Sequence, residues 1–387
     1  MAASAGRPPE LAQILGAHAP PLESLGPQRR RVVLDIMKCR TAALGGHLHV
    51  CDQCGRQIPI YNSCRNRHCP KCQSLDQARW VEAQTGDLLP VPYFHVVFTV
   101  PASLHPFFFA DRRIAFGLLF AAALEALHDV CREHFGARPG TIAVLHTWSQ
   151  TLAFHPHIHC IVTGGGLAVA QDRWIASRPN FLVPVRMLSP VFKAKLLQRL
   201  SNALKDGALG VRAEAGLHHL RQAAARKWVV YSKSPMAGPG QVLRYLGRYT
   251  HRIAITNARI VCLDDGKVTF RYRDRRRGNR ERLITLDASD FVRRFLVHVL
   301  PRSFVRVRHY GLLGNGCRTR LLAKVRLLLH APALPTSGAS TRPSWKDLYR
   351  RLTGRDPERC PSCGLGRLSI VISLAPLLAR DTRVRAP

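Results

Sequence analysis

The chain has 387 residues, with 58 Lys+Arg against 24 Asp+Glu and a formal net charge of +34 at pH 7. So basic a chain repels itself unless its partner is a polyanion; nucleic acid is the usual one, with a membrane surface the runner-up. Hydrophobic residues at 46% and charged residues at 21% exclude a disordered chain, and no apolar run approaches the ~20 residues of a membrane-spanning helix.

The most apolar helical stretch, Ile114 to Leu127, carries Glu125. The opening residues MAASAGRPPE lack the apolar core of a signal peptide. A cytoplasmic, nucleoid-associated protein is therefore expected, with its 12 cysteines reduced and serving as metal ligands or core thiols.

Residues 1–27 are rich in Pro, Ala and Gly and read as a flexible arm. A basic helix follows from Arg29, with Val32, Val33, Ile36 and Met37 as its apolar stripe. Residues 28–82 form a zinc-binding module. Cys51-x-x-Cys54 and Cys69-x-x-Cys72 are two tight turns of the kind that present four thiolates to one tetrahedral zinc ion. Cys39, His47, His49, Cys64 and His68 lie near enough in sequence to make a second site or to replace one of the four. Arg65, Arg67 and Lys71 add positive charge around it, as DNA recognition requires.

From residue 88 the pattern changes. Pro92 to Pro101 reads as a buried strand, Ala110 to Phe135 as a long helix closed by Gly136, and Thr141 to Trp148 as a second strand. His155-Pro-His-Ile-His-Cys160 opens a third strand, antiparallel to the second and stopped by Gly164 to Gly166. Side chains two apart on a strand share a face, so His157 and His159 can converge on one metal ion. Phe181 to Leu204 gives a loop and an amphipathic helix, and Trp228 to Tyr231 a short strand ending at Lys233.

Further on, Tyr245 and Tyr249 lie one helical turn apart, flanked by Arg244 and Arg248. Strands over Arg252–Thr256 and Arg259–Leu263 precede a turn at Asp265-Gly266 and an arginine run that includes Arg271, Arg273, Arg275, Arg276, Arg277, Arg280 and Arg282. Such a run suits backbone contact to a nucleic acid, as does a second basic patch with Arg306 and Arg308. Residues 88–290 make the core, 291–331 a basic helical C-terminal region, and 332–387 a linker and tail carrying the knuckle Cys360-Pro-Ser-Cys363. That knuckle pairs with Cys317, with a distant ligand, or with nothing.

The segments Ser63–Gln73, Pro92–Pro101, His155–Cys160 with its triple glycine, Tyr245–Ile255 and Arg306–Gly311 together resemble the insertion sequence 91 family of rolling-circle transposases. This family falls within the larger group of single-strand DNA nucleases marked by His, hydrophobe, His. The resemblance implies an α+β fold: an antiparallel-sheet nuclease core with helices on one face, a zinc-ribbon-like domain before it and a basic helical region after it.

It also implies a mechanism. A tyrosine phenol, pKa about 10, is a poor nucleophile at neutral pH and needs a Lewis acid on the phosphate. Mg2+ or Mn2+ on His157 and His159 would supply this, while Tyr249 or Tyr245 forms a 5′-phosphotyrosine; Tyr249 is favoured if one suffices. Gln150, His95 and His251 are candidates for a third ligand, and Lys233 for orienting the phosphate. The partner is then DNA, as single-stranded element ends. A plasmid-type replication initiator or relaxase of the same chemistry, a non-catalytic zinc-ribbon binding protein and a hydrolytic metalloenzyme are the alternatives.

Overall fold

A computed structural model describes residues 8–85, 87–168, 173–236, 241–242, 247, 254–274, 277–332 and 344–377. Helices α1 (Leu11–His18) and α2 (Pro27–Lys38) come first. Leu11, Ile14 and Leu15 of α1 and Val32, Val33 and Ile36 of α2 are buried in one apolar cluster. The described part of the expected flexible arm is therefore folded. Its leucines and isoleucine follow the i, i+3, i+4 spacing of a helix, a short stripe obscured by the prolines around it. Strands β1 (Gly46–Cys51) and β2 (Gln57–Tyr61) form an antiparallel hairpin, and α3 (Gln73–Thr85) leads into the core.

The core elements are β3 (Tyr93–Thr99), α4 (His105–Ala110), α5 (Arg112–Phe135), β4 (Ala137–Trp148), β5 (Phe154–Ala168), β6 (Trp174–Ala176), α6 (Val185–Lys205), α7 (Ala213–Ala225) and β7 (Val230–Met236). Asp111 caps α5 by accepting from the Ile114 amide at 2.8 Å, and Gly136 ends it in the left-handed conformation, φ 70°. Among the described residues α5 is the one helix long and apolar enough to cross a membrane by length and composition. Here its apolar residues are spent on the core, where Phe116, Leu119, Phe120 and Leu127 are fully buried.

Next come β8 (Ile260–Asp264), β9 (Lys267–Asp274), β10 (Arg280–Asp287), α8 (Ala288–Leu296), β11 (Val307–Tyr310), α9 (Arg318–Leu328), α10 (Trp345–Thr353) and β12 (Leu368–Leu374). The central antiparallel sheet has the order β11-β4-β5-β3-β7, with β6 added beside β5. Alternation assigns its two faces. Phe94, Val96, Phe98, Ala143, Leu145, Ile158, Cys160 and Val162 pack with residues of α5 and α6. Tyr93, Ile142, Val144 and Ile161 point the other way and pack with Leu322 and Val325 of α9 and with Trp80 and Val81 of α3. Helices thus cover both faces, not one. The reason lies in β3 and β4, whose apolar runs are nearly continuous, as in strands buried on both sides.

The triple glycine does not stop β5, which continues to Ala168. A side chain on Gly166 would meet the Arg138 carbonyl oxygen at 2.3 Å, and one on Gly164 the Pro92 oxygen at 2.9 Å. These glycines let three backbones approach closely.

Two smaller sheets flank the core. In β8-β9-β10, Asp265 (φ 45°) and Gly266 (φ 67°) make the tight turn. Phe270, Phe291 and Phe295 bury their rings in the same cluster as α1 and α2. Residues 260–296 therefore pack with the N-terminal helices, which divides the expected 88–290 core. The third sheet, β12-β1-β2, brings the C-terminal strand back to the N-terminal hairpin, so the tail is not a free extension.

Candidate metal centres and DNA interface

Residues 149–153 join β4 to β5, and the register sets His146 directly opposite His157. Directly opposed residues of an antiparallel pair share a face. His146, His157 and His159 therefore project together on the sheet face away from α5. One ring nitrogen of each lies within 4.8 Å of the others. Ring centroids are 5.3 Å apart for His146–His157, 4.4 Å for His146–His159 and 4.8 Å for His157–His159.

Hydrogen bonds hold two of the three rings. His157 Nδ1 lies 2.6 Å from the His155 carbonyl oxygen, so it carries the proton and donates, leaving the Nε2 lone pair available. His159 Nδ1 lies 2.8 Å from Nε2 of His95, which faces the same side from β3. Trp148 stacks on His146 with centroids 4.6 Å apart. Behind the hairpin, buried His298 donates from Nε2 to the Leu152 carbonyl at 3.1 Å and accepts at Nδ1 from the Thr147 hydroxyl at 3.1 Å. Burial holds its pKa down to about 3, so it stays neutral. The bonds of His157 to the His155 carbonyl and of His159 to His95 are of the kind that orient an imidazole through its second nitrogen.

Of the three expected third ligands, His95 hydrogen-bonds to His159 and stands outside the group of three. Gln150 is exposed in the hairpin loop, where its carbonyl accepts from Arg259. His251 falls outside the described residues. The third imidazole of the group is His146, which the sequence reading did not single out. The signal was present: pairing the two expected strands about a loop at 149–153 sets 146 against 157.

Tyr245, Tyr249, Arg244 and Arg248 lie outside the described residues. Their neighbours are informative. Val242 is fully buried with Ile142, Val144 and Ile161 on the histidine face. A Cβ on Gly247 would meet Val81 of α3 at 2.9 Å and Gln77 at 3.0 Å. Lys233 sits opposite His95 in the β3–β7 register, exposed, with Nζ 5.8 Å from the Tyr231 ring centre.

The cysteines fall into two groups of four, Cys39/Cys64/Cys69/Cys72 and Cys51/Cys54/Cys360/Cys363, each with its sulfurs within 4.8 Å of one another. The expected set Cys51, Cys54, Cys69 and Cys72 is not assembled. Spacing identifies knuckles but not which knuckles meet, and here β12 on β1 carries the distant knuckle to Cys51 and Cys54. Cys69 and Cys72 instead meet Cys39, just after α2, and Cys64; Cys39–Cys72 and Cys64–Cys72 are 3.3 and 3.6 Å apart. A tetrahedral zinc with bonds of about 2.3 Å needs sulfurs about 3.8 Å apart, so the first group fits that ion after small adjustments.

His68 joins neither group. It is buried, accepts from the Leu300 amide at 3.2 Å, and burial holds its pKa near 3. His47 and His49 lie on β1 outside both groups. Cys317 is also apart, its thiol facing the Gly311 and Gly314 carbonyls.

The expected arginine interface is only partly at the surface. Arg273 and Arg277 are exposed; Arg275 and Arg276 lie outside the described residues. Arg306 is buried, with burial lowering its pKa to about 9 and its guanidinium 6.0 Å from the Trp148 ring centre. Arg308 lies over Phe120 at 4.2 Å and Phe304 at 5.3 Å. Both read as exposed phosphate contacts by spacing; Arg306 is buried, whereas Arg308 is half-buried on β11 and donates to the Val305 carbonyl.

The chain matches the family model described as "Putative transposase" over residues 140–320 and that described as "Transposase zinc-binding domain" over residues 13–100. It is 45% identical to "Putative transposase y4qJ" of Sinorhizobium fredii over 355 residues, 89% of each chain. It is 27% identical to "Transposase for insertion sequence element IS801" of Pseudomonas savastanoi pv. phaseolicola over 347 residues, 86% of this chain and 81% of that one. No solved structure gives a significant match. The chain belongs to the insertion sequence 91 family of transposases and carries that family's zinc-binding domain ahead of its catalytic region.

Proposed function

We propose that this transposase nicks and rejoins single-stranded DNA at element ends through a 5′-phosphotyrosine, the chemistry of rolling-circle transposition. The observation that carries the reading is the convergence of His146, His157 and His159 on one sheet face, the face on which Val242 is also buried. Three converging imidazoles suit a divalent ion, and of Mg2+ and Mn2+ the nitrogen donors favour Mn2+. Such an ion would withdraw charge from a non-bridging oxygen of the scissile phosphodiester.

The tyrosine supplies the nucleophile. Its phenol oxygen, from Tyr249 or Tyr245, bonds to phosphorus as the bond to the 3′ oxygen breaks. The leaving strand departs with a 3′-hydroxyl, and the 5′-phosphate remains on tyrosine as an ester. Because the ester replaces one phosphodiester by another, a 3′-hydroxyl can reverse the step without ATP. Lys233 projects on the same face, opposite His95, and is positioned to contact the phosphate. The outer side of β9, with exposed Arg271 and Arg273 leading to Arg277, is where the strand's backbone would run. The first cysteine group would hold the structural zinc of the N-terminal domain. Its place of action would be the cytoplasm, on the nucleoid.

The test is a labelled single-stranded oligonucleotide carrying an element end, incubated with protein and Mn2+ and run on a denaturing gel. Wild type should give a slow, protease-sensitive DNA species that vanishes in Tyr245→Phe/Tyr249→Phe. Binding without any such species, in either metal and with several end sequences, would favour the binding-module reading instead.

A further inference from the structure

The two matched domains leave residues beyond 320 unassigned. We propose that Cys51, Cys54, Cys360 and Cys363 hold a second zinc ion, which locks the C-terminal segment onto the N-terminal domain. The proposal does not depend on the nuclease reading.

The sulfur geometry comes first. Cys51 and Cys363 are 3.7 Å apart, and Cys54 and Cys360 are 3.8 Å apart. Those are the edges of a tetrahedron around a zinc ion with bonds of about 2.3 Å, and far above the ~2.05 Å of a disulfide.

The two knuckles are also built alike. Cys51-Asp-Gln-Cys54 is followed by Gly55 at φ 67°, and Cys360-Pro-Ser-Cys363 by Gly364 at φ 68°. In each, the glycine amide donates 3.0 Å to the carbonyl of the first cysteine. The Ser362 amide points at Cys360 Sγ and the Gly366 amide at Cys363 Sγ, both at 3.4 Å. Amide hydrogens aimed at sulfur favour the thiolates a metal requires.

The surrounding chain is shaped to bring the knuckles together. The Asp52 amide donates to the Arg367 carbonyl at 3.1 Å, and the Arg367 amide to Asp52 Oδ1 at 2.8 Å. Gly366 lies so close that a Cβ would sit 2.4 Å from Cys51 Sγ.

What the tail lacks is a core. On β12, Ile370, Val371 and Ile372 are all more than half exposed, and in residues 344–377 only Leu348, Cys360 and Gly366 are buried. So small an apolar interior does not hold a module of this size without a metal or other cross-link. The ion pairs Lys346–Glu358 and Arg350–Asp356 are surface contacts of little weight.

The experiment counts metal in the full-length protein and follows the tail. Zinc per chain is measured by plasma mass spectrometry, and the cobalt-substituted protein by its thiolate-to-metal charge-transfer absorption, to which histidine-bound metal does not contribute. Wild type should show two thiolate sites. Cys360→Ser/Cys363→Ser and Cys51→Ser/Cys54→Ser should each show one, with half the absorption. Wild-type absorption corresponding to one site, or full absorption in either double variant, would overturn the proposal.

Should the variants not fold, wild type with a protease site inserted between Ser337 and Gly338 decides. After cleavage the tail should stay bound in zinc buffer and dissociate with a strong chelator. Retention in chelator would contradict the metal lock.

Discussion

The histidine centre and the cysteine centres are assembled over very different stretches of chain. His146, His157 and His159 come from one hairpin, within 14 consecutive residues, and the hydrogen bonds that orient them come from the same sheet. Of the cysteine groups, one draws on residues 39 to 72 and the other joins residues 51 and 54 to 360 and 363. A ladder register fixes a local centre by the pleat alone. A centre made of distant knuckles depends on how separate modules dock, and sulfur spacing carries no information about that. The first centre is therefore a property of the core, the others a property of the assembly of modules around it.

The largest expected effect separates the two. His146→Ala and His157→Ala should each slow strand cleavage by about a hundredfold or more while leaving the melting temperature near wild type, because each removes a donor to a charge-stabilising ion. Cleavage by His146→Ala at the wild-type rate would remove that residue from the centre. Next, Cys69→Ser should do the reverse. Cys69 is fully buried beside α2 in the cluster that includes Val32, Val33 and Ile36, so the change should cost on the order of 3 kcal/mol of stability and lower the zinc content. A melting temperature equal to wild type with full zinc would show that the first cysteine group is not a metal site.

A third, smaller effect concerns the strand path. Arg273→Gln/Arg277→Gln should weaken single-stranded DNA binding several-fold and reduce the salt slope by about 1 to 2, without changing cleavage at saturating DNA. An unchanged salt slope would move the interface elsewhere.

A pH effect tests two buried imidazoles, His298 behind the hairpin and His128 of α5 beside Thr141. Burial lowers the pKa of His298 to about 3 and that of His128 to about 4, both below the unfolded value of 6.5. The unfolded chain therefore takes up these protons first. Their contribution is intact above pH 6.5 and is lost as pH falls toward 4, up to about 2 kcal/mol each at pH 5. Denaturation between pH 7 and 5 checks this, and His128→Gln should flatten the dependence. A flat wild-type profile would mean these rings are hydrated.

What could be read from the sequence follows the same division. The strands expected up to Pro101, over Thr141–Trp148 and from His155, and the helix expected over Ala110–Phe135, carried strong local signals; each is present, the third running on through the glycines that were expected to stop it. His157 and His159 were legible because a strand's alternation is local. His146 needed one further step, the pairing of two strands already expected to be antiparallel. Helix α1 was hidden because three large apolar residues in eight make a weak stripe, and its burial comes from α2 and the 260–296 region. Arg306 was misread because a basic patch looks the same whether its guanidinium reaches solvent or is buried beside Trp148. The partner of Cys360 and Cys363 could not be read at all, since only the pairing of β12 with β1 selects it.

The most direct measurement is single-turnover cleavage of an element-end oligonucleotide in Mn2+ by wild type and His146→Ala, with the melting temperature and thiolate-site count recorded on the same preparations. The account predicts at least a hundredfold loss of rate with melting and thiolate-bound metal unchanged. Cleavage by His146→Ala at the wild-type rate, beside a His157→Ala protein that fails to cut, would contradict the three-histidine centre.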